Sequence, residues 1–310
     1  MLSIVVPIYN ESLNLDGFFA RLIPALEGTG EPFEVICIDD GSKDDSVAKL
    51  KRVNQADPRV KLLVFSRNFG KEAALSAGLA NAAGHAVIPI DADLQHPPEM
   101  IPDMVAKWRE GYDVVYAVRR ERTGQSLLSR LQARAFYWLF EKLSEVKMPR
   151  EVGDFRLLDR KVVDAINAMP ERTRFMKGIF AWVGFRQVGI PYTQEERVHG
   201  ESSFNLVRLL RFAFDGLVAF SDMPLRMWTV IGAVVSGFAF LYIVVRLVRT
   251  LVYGIDVPGY ESIIVTILFL GGVQLITLGI IGHYLGRVFN EVKGRPLYIV
   301  RERLGVKKPE

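Results

Sequence analysis

One cysteine in 310 residues removes a whole class of architecture. Cys37 has no partner for an intrachain disulfide, and its apolar neighbours make core packing its expected role. Histidine is almost as scarce. His85, His96, His199 and His283 show no metal-ligand spacing and no cysteine cluster accompanies them, so a zinc site is not expected. His96 before two prolines reads as a turn residue rather than a ligand. No G-x-G-x-x-G follows a strand-like run: Gly28-Thr29-Gly30 precedes one and lacks the third glycine. A dinucleotide-dependent dehydrogenase is therefore not expected. Internal repeats and low-complexity tracts are missing, and the chain enters an apolar strand pattern at Ser3, leaving no signal-peptide pattern. Net charge is only +4, from 39 basic and 35 acidic residues. The basic residues gather beside apolar runs, which points to anionic lipid head groups rather than nucleic acid.

What the chain does have is a set of polar strand ends. Ala86 to Ile90 is a short apolar run suited to a buried strand, and Ile-Asp-Ala-Asp-Leu-Gln-His-Pro-Pro-Glu occupies 90–99. Side chains two apart in extended chain share a face, so Asp91 and Asp93 can meet one hard cation, with Gln95 adding a third oxygen. Mg²⁺ is the expected ion, with Mn²⁺ as the alternative. The competing reading is a turn whose acids cap the helix opening at Pro97-Pro98-Glu99. Phe33 to Ile38 likewise stops at Asp39-Asp40-Gly41-Ser42, and Ser3 to Val6 at Pro7-Ile8-Tyr9-Asn10-Glu11. Helical patterns lie between these strands, and open α/β sheets bind ligands beyond the carboxyl ends of their strands.

Two segments have the length of membrane spans. Met227 to Val245 holds 19 residues without a formal charge and Ser262 to Gly286 holds 25. At about 1.5 Å rise per residue, both can cross a hydrocarbon core of roughly 30 Å. Arg208, Arg211 and Arg226 precede the first. Arg287, Lys293, Arg295, Arg301, Arg303, Lys307 and Lys308 follow the second, so the positive-inside bias places both termini in the cytoplasm. Segments 203–220 and 127–143 combine apolar faces with arginines, as helices lying at a membrane interface do. The tail stretch Leu297 to Val300 reads as a strand able to pair with another subunit.

Val-Pro-Ile-Tyr-Asn-Glu (6–11), Ile-Asp-Asp-Gly-Ser (38–42), Asn-Phe-Gly-Lys (68–71) and Asp-Ala-Asp-Leu-Gln-His-Pro-Pro-Glu (91–99) together resemble glycosyltransferase family 2. Gly-Asp-Phe-Arg-Leu (153–157) and the Glu196–Phe204 stretch extend the likeness, which covers nearly the whole chain. It is most similar to the branch that loads sugars onto polyprenyl phosphate, the dolichyl-phosphate mannose synthases and bacterial bactoprenol glucosyltransferases. The resemblance implies a GT-A-like, Rossmann-like α/β catalytic domain over 1–201. An amphipathic interfacial region over 202–226, two transmembrane helices within 227–288 and a cytoplasmic tail over 289–310 complete the expected organisation. It implies a bacterial plasma-membrane location and a homo-oligomer, with a tetramer as one form.

The same resemblance distributes the roles. Pro7, Tyr9, Glu11, Asp39, Asp40, Lys71 and Asp91 would bind the donor. Asp91, Asp93 and Gln95 would hold the metal, with Asp93 and Asp154 at the reacting centre. Arg119, Arg134 and Arg197 would contact the acceptor phosphate. The expected reaction is inverting transfer of a hexose, glucose from UDP-glucose, to undecaprenyl or another polyprenyl phosphate. Mannosyl or amino-sugar transfer is the first alternative, and a non-catalytic scaffold that senses nucleotide sugars is the second. A processive polysaccharide synthase is disfavoured because the Gln-x-x-Arg-Trp motif is absent.

Overall fold

The computed structural model describes residues 1–119, 152–172, 174–193, scattered helical positions between 232 and 253, and 259–306. Within these, β1 (Leu2–Ile8), β2 (Phe33–Asp39), β3 (Val60–Phe65) and β4 (Ala86–Pro89) form the parallel heart of a mixed sheet. The connecting helices are α1 (Leu15–Glu27), α2 (Ser46–Ala56) and α3 (Lys71–Asn81). A single turn of 3₁₀ helix, Pro98–Met100, leads into α4 (Ile101–Arg109). The chain continues through β5 (Val114–Arg119), β6 (Val152–Asp159), α5 (Arg160–Asn167), α6 (Met176–Trp182) and β7 (Gln187–Tyr192). A long helix α7 (Tyr260–Val292) and strand β8 (Val300–Leu304) close the described chain. The sheet order is β7-β5-β6-β4-β1-β2-β3-β8. β6 runs antiparallel to both β4 and β5, and β8 antiparallel to β3.

The central strands read as unbroken apolar runs because helices cover both sheet faces. Alternation then sorts the side chains. Ile4, Val6 and Ile8 pack with Phe18, Leu22 and Leu26 of α1, while Val5, Ile36 and Ile38 meet Ala74 and Ala77 of α3 on the other face. A Cβ on Gly78 would run into the Val5 side chain, so this helical glycine sets how closely α3 approaches β1. Cys37 is fully buried in the core, as its neighbours predict.

The tail strand differs from expectation. It occupies Val300–Leu304 rather than 297–300 and pairs antiparallel with β3 of its own chain. Tyr298 stacks on Phe65 with ring centroids 5.0 Å apart, the Ser66 amide donates to the Ile299 carbonyl at 2.9 Å, and Glu302 pairs with Lys51 at 2.7 Å. An otherwise open edge of β3 is thereby covered by the same chain.

Among the described residues, one segment, Phe269–Val292 within α7, is long and apolar enough to cross a membrane. It overlaps the second expected span, and its side chains are largely uncovered. Ten of the 19 residues of the first expected span are described, and all ten are helical. The expected interfacial helices over 127–143 and 203–220, with Arg134, Arg197 and His199, lie outside the described residues. At the foot of α7, Glu291 accepts the Arg172 amide with both oxygens, at 2.9 and 3.1 Å. The Arg172 guanidinium bonds the Arg295 carbonyl, so the helix end is fastened to the segment that follows α5.

Candidate active site

The polar strand ends meet at the carboxyl ends of the sheet's central strands β4, β1 and β2. After β4 the chain does not stay extended: residues 91–97 form a turn in which Leu94 adopts φ 59° and buries its side chain. This corrects the expectation that strand alternation aligns Asp91 and Asp93. The turn brings them together instead, and the Gln95 amide fixes Asp93 by donating to its Oδ1 at 3.1 Å.

His96 sits in the turn, as its place before two prolines suggests, and also joins the same cluster. Ligand atoms of Asp91, Asp93 and His96 all lie within 4.8 Å of one another. The imidazole packs beside Phe155 and Tyr192, with centroid separations of 5.4 and 5.7 Å, and its Nδ1 is buried without a partner among the described residues. Burial holds its pKa below the usual histidine value, favouring the neutral form that ligates metals. Two carboxylates and this imidazole fit a divalent ion. The carboxylates suit Mg²⁺, and the nitrogen widens the fit to Mn²⁺. Bound there, such an ion would supply positive charge to a diphosphate.

Lys71 connects this cluster to the far side of the cleft. Its Nζ lies 2.8 Å from Asp91 Oδ1 and 2.6 Å from Asp154 Oδ2 on β6. Burial alone would raise the Asp154 pKa, but Lys71, Lys177 and Arg156 hold it below the ordinary carboxylate value. Burial would lower the Lys71 pKa, and its two carboxylate partners raise it instead. Asp154 is thus paired with Lys71. Arg156 is buried over the Phe180 ring at 4.1 Å and donates to the Gly153 carbonyl at 2.6 Å. Desolvation pushes its pKa down to about 10.

The loop presenting Lys71 is shaped by Asp40. Its two oxygens accept the Phe69 and Gly70 amides at 2.6 and 2.9 Å, immediately before α3. Asp39 differs. Its Oδ2 accepts the Gly41 and Ser42 amides, both at 3.1 Å, while its buried Oδ1 has no partner among the described residues. Gly41 is forced here twice over: φ is +73°, and a Cβ would sit 2.6 Å from the Arg67 carbonyl carbon. The loops after β1 and β2 are stitched together, since the Asn10 amide donates to Ser42 Oγ and the Lys43 amide to Asn10 Oδ1. Pro7, Tyr9 and Glu11 therefore stand beside Asp39 at neighbouring strand ends. Glu11 also accepts Asn14 Nδ2 at 2.6 Å, and its amide donates to Ser46 Oγ.

Arg119 ends β5, next to the strand carrying Asp154, and its Nη2 is buried without a partner among the described residues. Sequence reasoning passed over Lys177 and Glu72, which act electrostatically on Asp154 or lie beside Lys71. Glu72 directly follows the Asn-Phe-Gly-Lys stretch, whereas Lys177 lies in no such motif and only the fold brings it near the site.

Comparison with known proteins identifies the family. Residues 3–166 match the family described as glycosyl transferase family 2. An uncharacterized glycosyltransferase of Synechocystis is 52% identical over 305 residues, covering 98% of this chain and 96% of its own. A prophage-derived bactoprenol glucosyl transferase of Shigella flexneri is 46% identical over 301 residues, covering 97% of each chain. An Escherichia coli prophage bactoprenol glucosyl transferase homolog is 44% identical over 300 residues, covering 97% of this chain and 98% of its own. The chain belongs to glycosyltransferase family 2 and is a glycosyltransferase.

Proposed function

We propose that this enzyme transfers glucose from UDP-glucose to a polyprenyl phosphate at the cytoplasmic membrane face, with inversion at the anomeric carbon. The observation that carries the reading is Lys71 held between Asp91 and Asp154 beside the Asp91–Asp93–His96 group. This places a cation and a metal-competent cluster at a single strand-end cleft. The bactoprenol names of relatives 44–46% identical over nearly the full chain support the acceptor class and the sugar. The apolar helix Phe269–Val292 supports anchoring near a lipid substrate.

Asp39 favours a uracil base. A buried carboxylate oxygen lacking a donor leaves its hydrogen bond for a ligand N–H, and an imide N–H supplies one. Asp91, Asp93 and His96 would hold the divalent ion, with Gln95 orienting Asp93 through its backbone N–H and offering its side-chain oxygen as a further ligand. Lys71 would exchange part of its carboxylate pairing for donor phosphate oxygens and stabilise the leaving group.

The acceptor phosphate oxygen forms the new bond to the anomeric carbon as the bond to the nucleoside diphosphate breaks, and that electron pair leaves with the diphosphate. A phosphate monoester has a second pKa of about 6, so the nucleophile is already largely dianionic near neutral pH. Asp154, whose pKa is lowered, is a weak base. Its proposed role is orienting Lys71 and the donor rather than accepting a proton. Arg119, together with Arg134 and Arg197, would neutralise the acceptor phosphate. A homo-oligomer with two spans is the proposed membrane form.

The test offers purified full-length protein UDP-glucose, GDP-mannose or UDP-N-acetylglucosamine, each with undecaprenyl phosphate and Mg²⁺. Glycolipid is read by mass spectrometry, with Asp93→Ala as control. Glucolipid from UDP-glucose alone, lost in the variant, is the expected result. Product from another donor replaces the sugar, and donor binding without turnover would favour a sensing scaffold.

A further inference from the structure

Glu72 has no role in the chemistry above, yet it sits beside the lysine on which that chemistry depends. It occupies the first turn of α3, directly after Lys71, and its Oε2 accepts the Met176 amide at 3.0 Å. Met176 is buried and opens α6. Just upstream, Arg172 donates its amide to Glu291 at the foot of the long apolar helix, and its guanidinium meets the Arg295 carbonyl. Arg174 stiffens the same stretch by donating to the Glu171 and Met169 carbonyls at 3.2 and 2.9 Å. Bonds therefore join Glu291 to Arg172 and Met176 to Glu72, which Lys71 immediately precedes in the chain.

An acid in the first turn of a helix could serve simply by complementing the helix's positive end. The surroundings argue otherwise. Burial disfavours the ionised carboxyl here, raising its pKa to about 7. What the site uses is an oxygen at a fixed place to accept the Met176 N–H.

We propose that Glu72 is a positioning residue that fastens the segment holding the foot of the long helix to the start of α3, keeping Lys71 between Asp91 and Asp154. The inference rests on the transferase reading for its kinetic consequence, while the tie itself can be measured without turnover. A reacting group displaced by about 1 Å can cost on the order of a hundredfold in rate, so a fall of about tenfold or more is expected when the tie is cut.

The full-length protein in lipid nanodiscs is compared as wild type, Glu72→Gln and Glu72→Ala, by hydrogen exchange over 71–76 and 172–180 and by steady-state glycolipid formation. Glutamine keeps a carbonyl oxygen for the Met176 amide and loses the charge; alanine loses both. The expected result is faster exchange in both segments for Glu72→Ala, with kcat down about tenfold or more and donor KM changed less than about twofold. Glu72→Gln should stay within about twofold of wild type in rate and restore protection. Unchanged exchange in Glu72→Ala overturns the tie, and faster exchange with unchanged kcat overturns positioning. Equal damage from both substitutions overturns the acceptor role in favour of charge at the helix end. A wild-type chain that forms no glycolipid counts against the proposed reaction and with it the kinetic role, whereas the exchange result still decides the tie.

Discussion

Lys71 Nζ stands 2.6 Å from Asp154 Oδ2, joining the first residue of α3 to a strand more than eighty positions later in the chain. The same amine reaches Asp91 at 2.8 Å, so one cation holds the two sides of the cleft. Replacing it by Lys71→Met leaves two carboxylates facing each other without their cation. Loss of a preorganised charge at the leaving group is expected to lower kcat by roughly 10²–10³-fold, with Lys71→Arg retaining more activity than Lys71→Met. Steady-state kinetics on the three proteins checks this. Equal rates for Lys71→Met and wild type would remove Lys71 from the reaction.

His96 separates metal binding from packing. Loss of an imidazole ligand in His96→Ala should raise the concentration of Mn²⁺ needed for half-maximal activation by about tenfold or more. His96→Phe fills the pocket beside Phe155 and Tyr192 without a ligand atom. It should show the same metal defect with less loss of thermal stability. Metal titration of both variants decides the matter, and normal activation in His96→Phe would leave the ring a packing role alone.

Gly41 tests the loop that carries Asp39. Alanine there adopts a left-handed φ and meets the Arg67–Asn68 backbone, which cannot move as a side-chain end can. A destabilisation of about 1–3 kcal/mol is expected from backbone strain, measurable by chemical denaturation. Nucleotide affinity should fall as well, because the amide of residue 41 helps to orient the Asp39 carboxylate.

Glu72 gives the protein a pH signature. Its folded pKa of about 7 lies above the ordinary 4.5, so the folded state retains this proton longer than the unfolded state does. Stability from this group is intact below the unfolded value and declines as pH rises through the folded one. Glu72→Gln removes that decline. The Tm difference between variant and wild type should move in the variant's favour between about pH 5 and pH 8. A constant difference across that range would show that Glu72 does not titrate there.

Much of the sheet was legible in the sequence because its strands are buried on both faces and write their pattern as apolar runs ending in polar turns. The 33–38 run became β2 over Phe33–Asp39, and 86–90 became β4 over Ala86–Pro89. Asp91 and Asp93 stood out as acids just beyond an apolar strand run, where open α/β sheets bind ligands, and Lys71 through the likeness of Asn-Phe-Gly-Lys. His96 was not. Its neighbours Phe155 and Tyr192 are far away in the chain, and no local spacing reveals a ring they will bury.

The tail shows the same division. Residues 297–304 carry strand-forming side chains, and their sequence determined that a strand would form near there. Which edge it joins depended on the path of the chain after the long helix, on the Gly294 turn at φ +66°, and on the exposed side of β3. The sequence by itself determined the apolar strands, their acidic ends and the long uncharged stretches, because periodicity and charge are local properties. Tertiary structure alone decided that Lys71 meets Asp154, that His96 joins the carboxylates and that Glu72 takes the Met176 amide. Each of these is a contact between distant segments, set by how helices and strands pack rather than by what lies beside them in the chain.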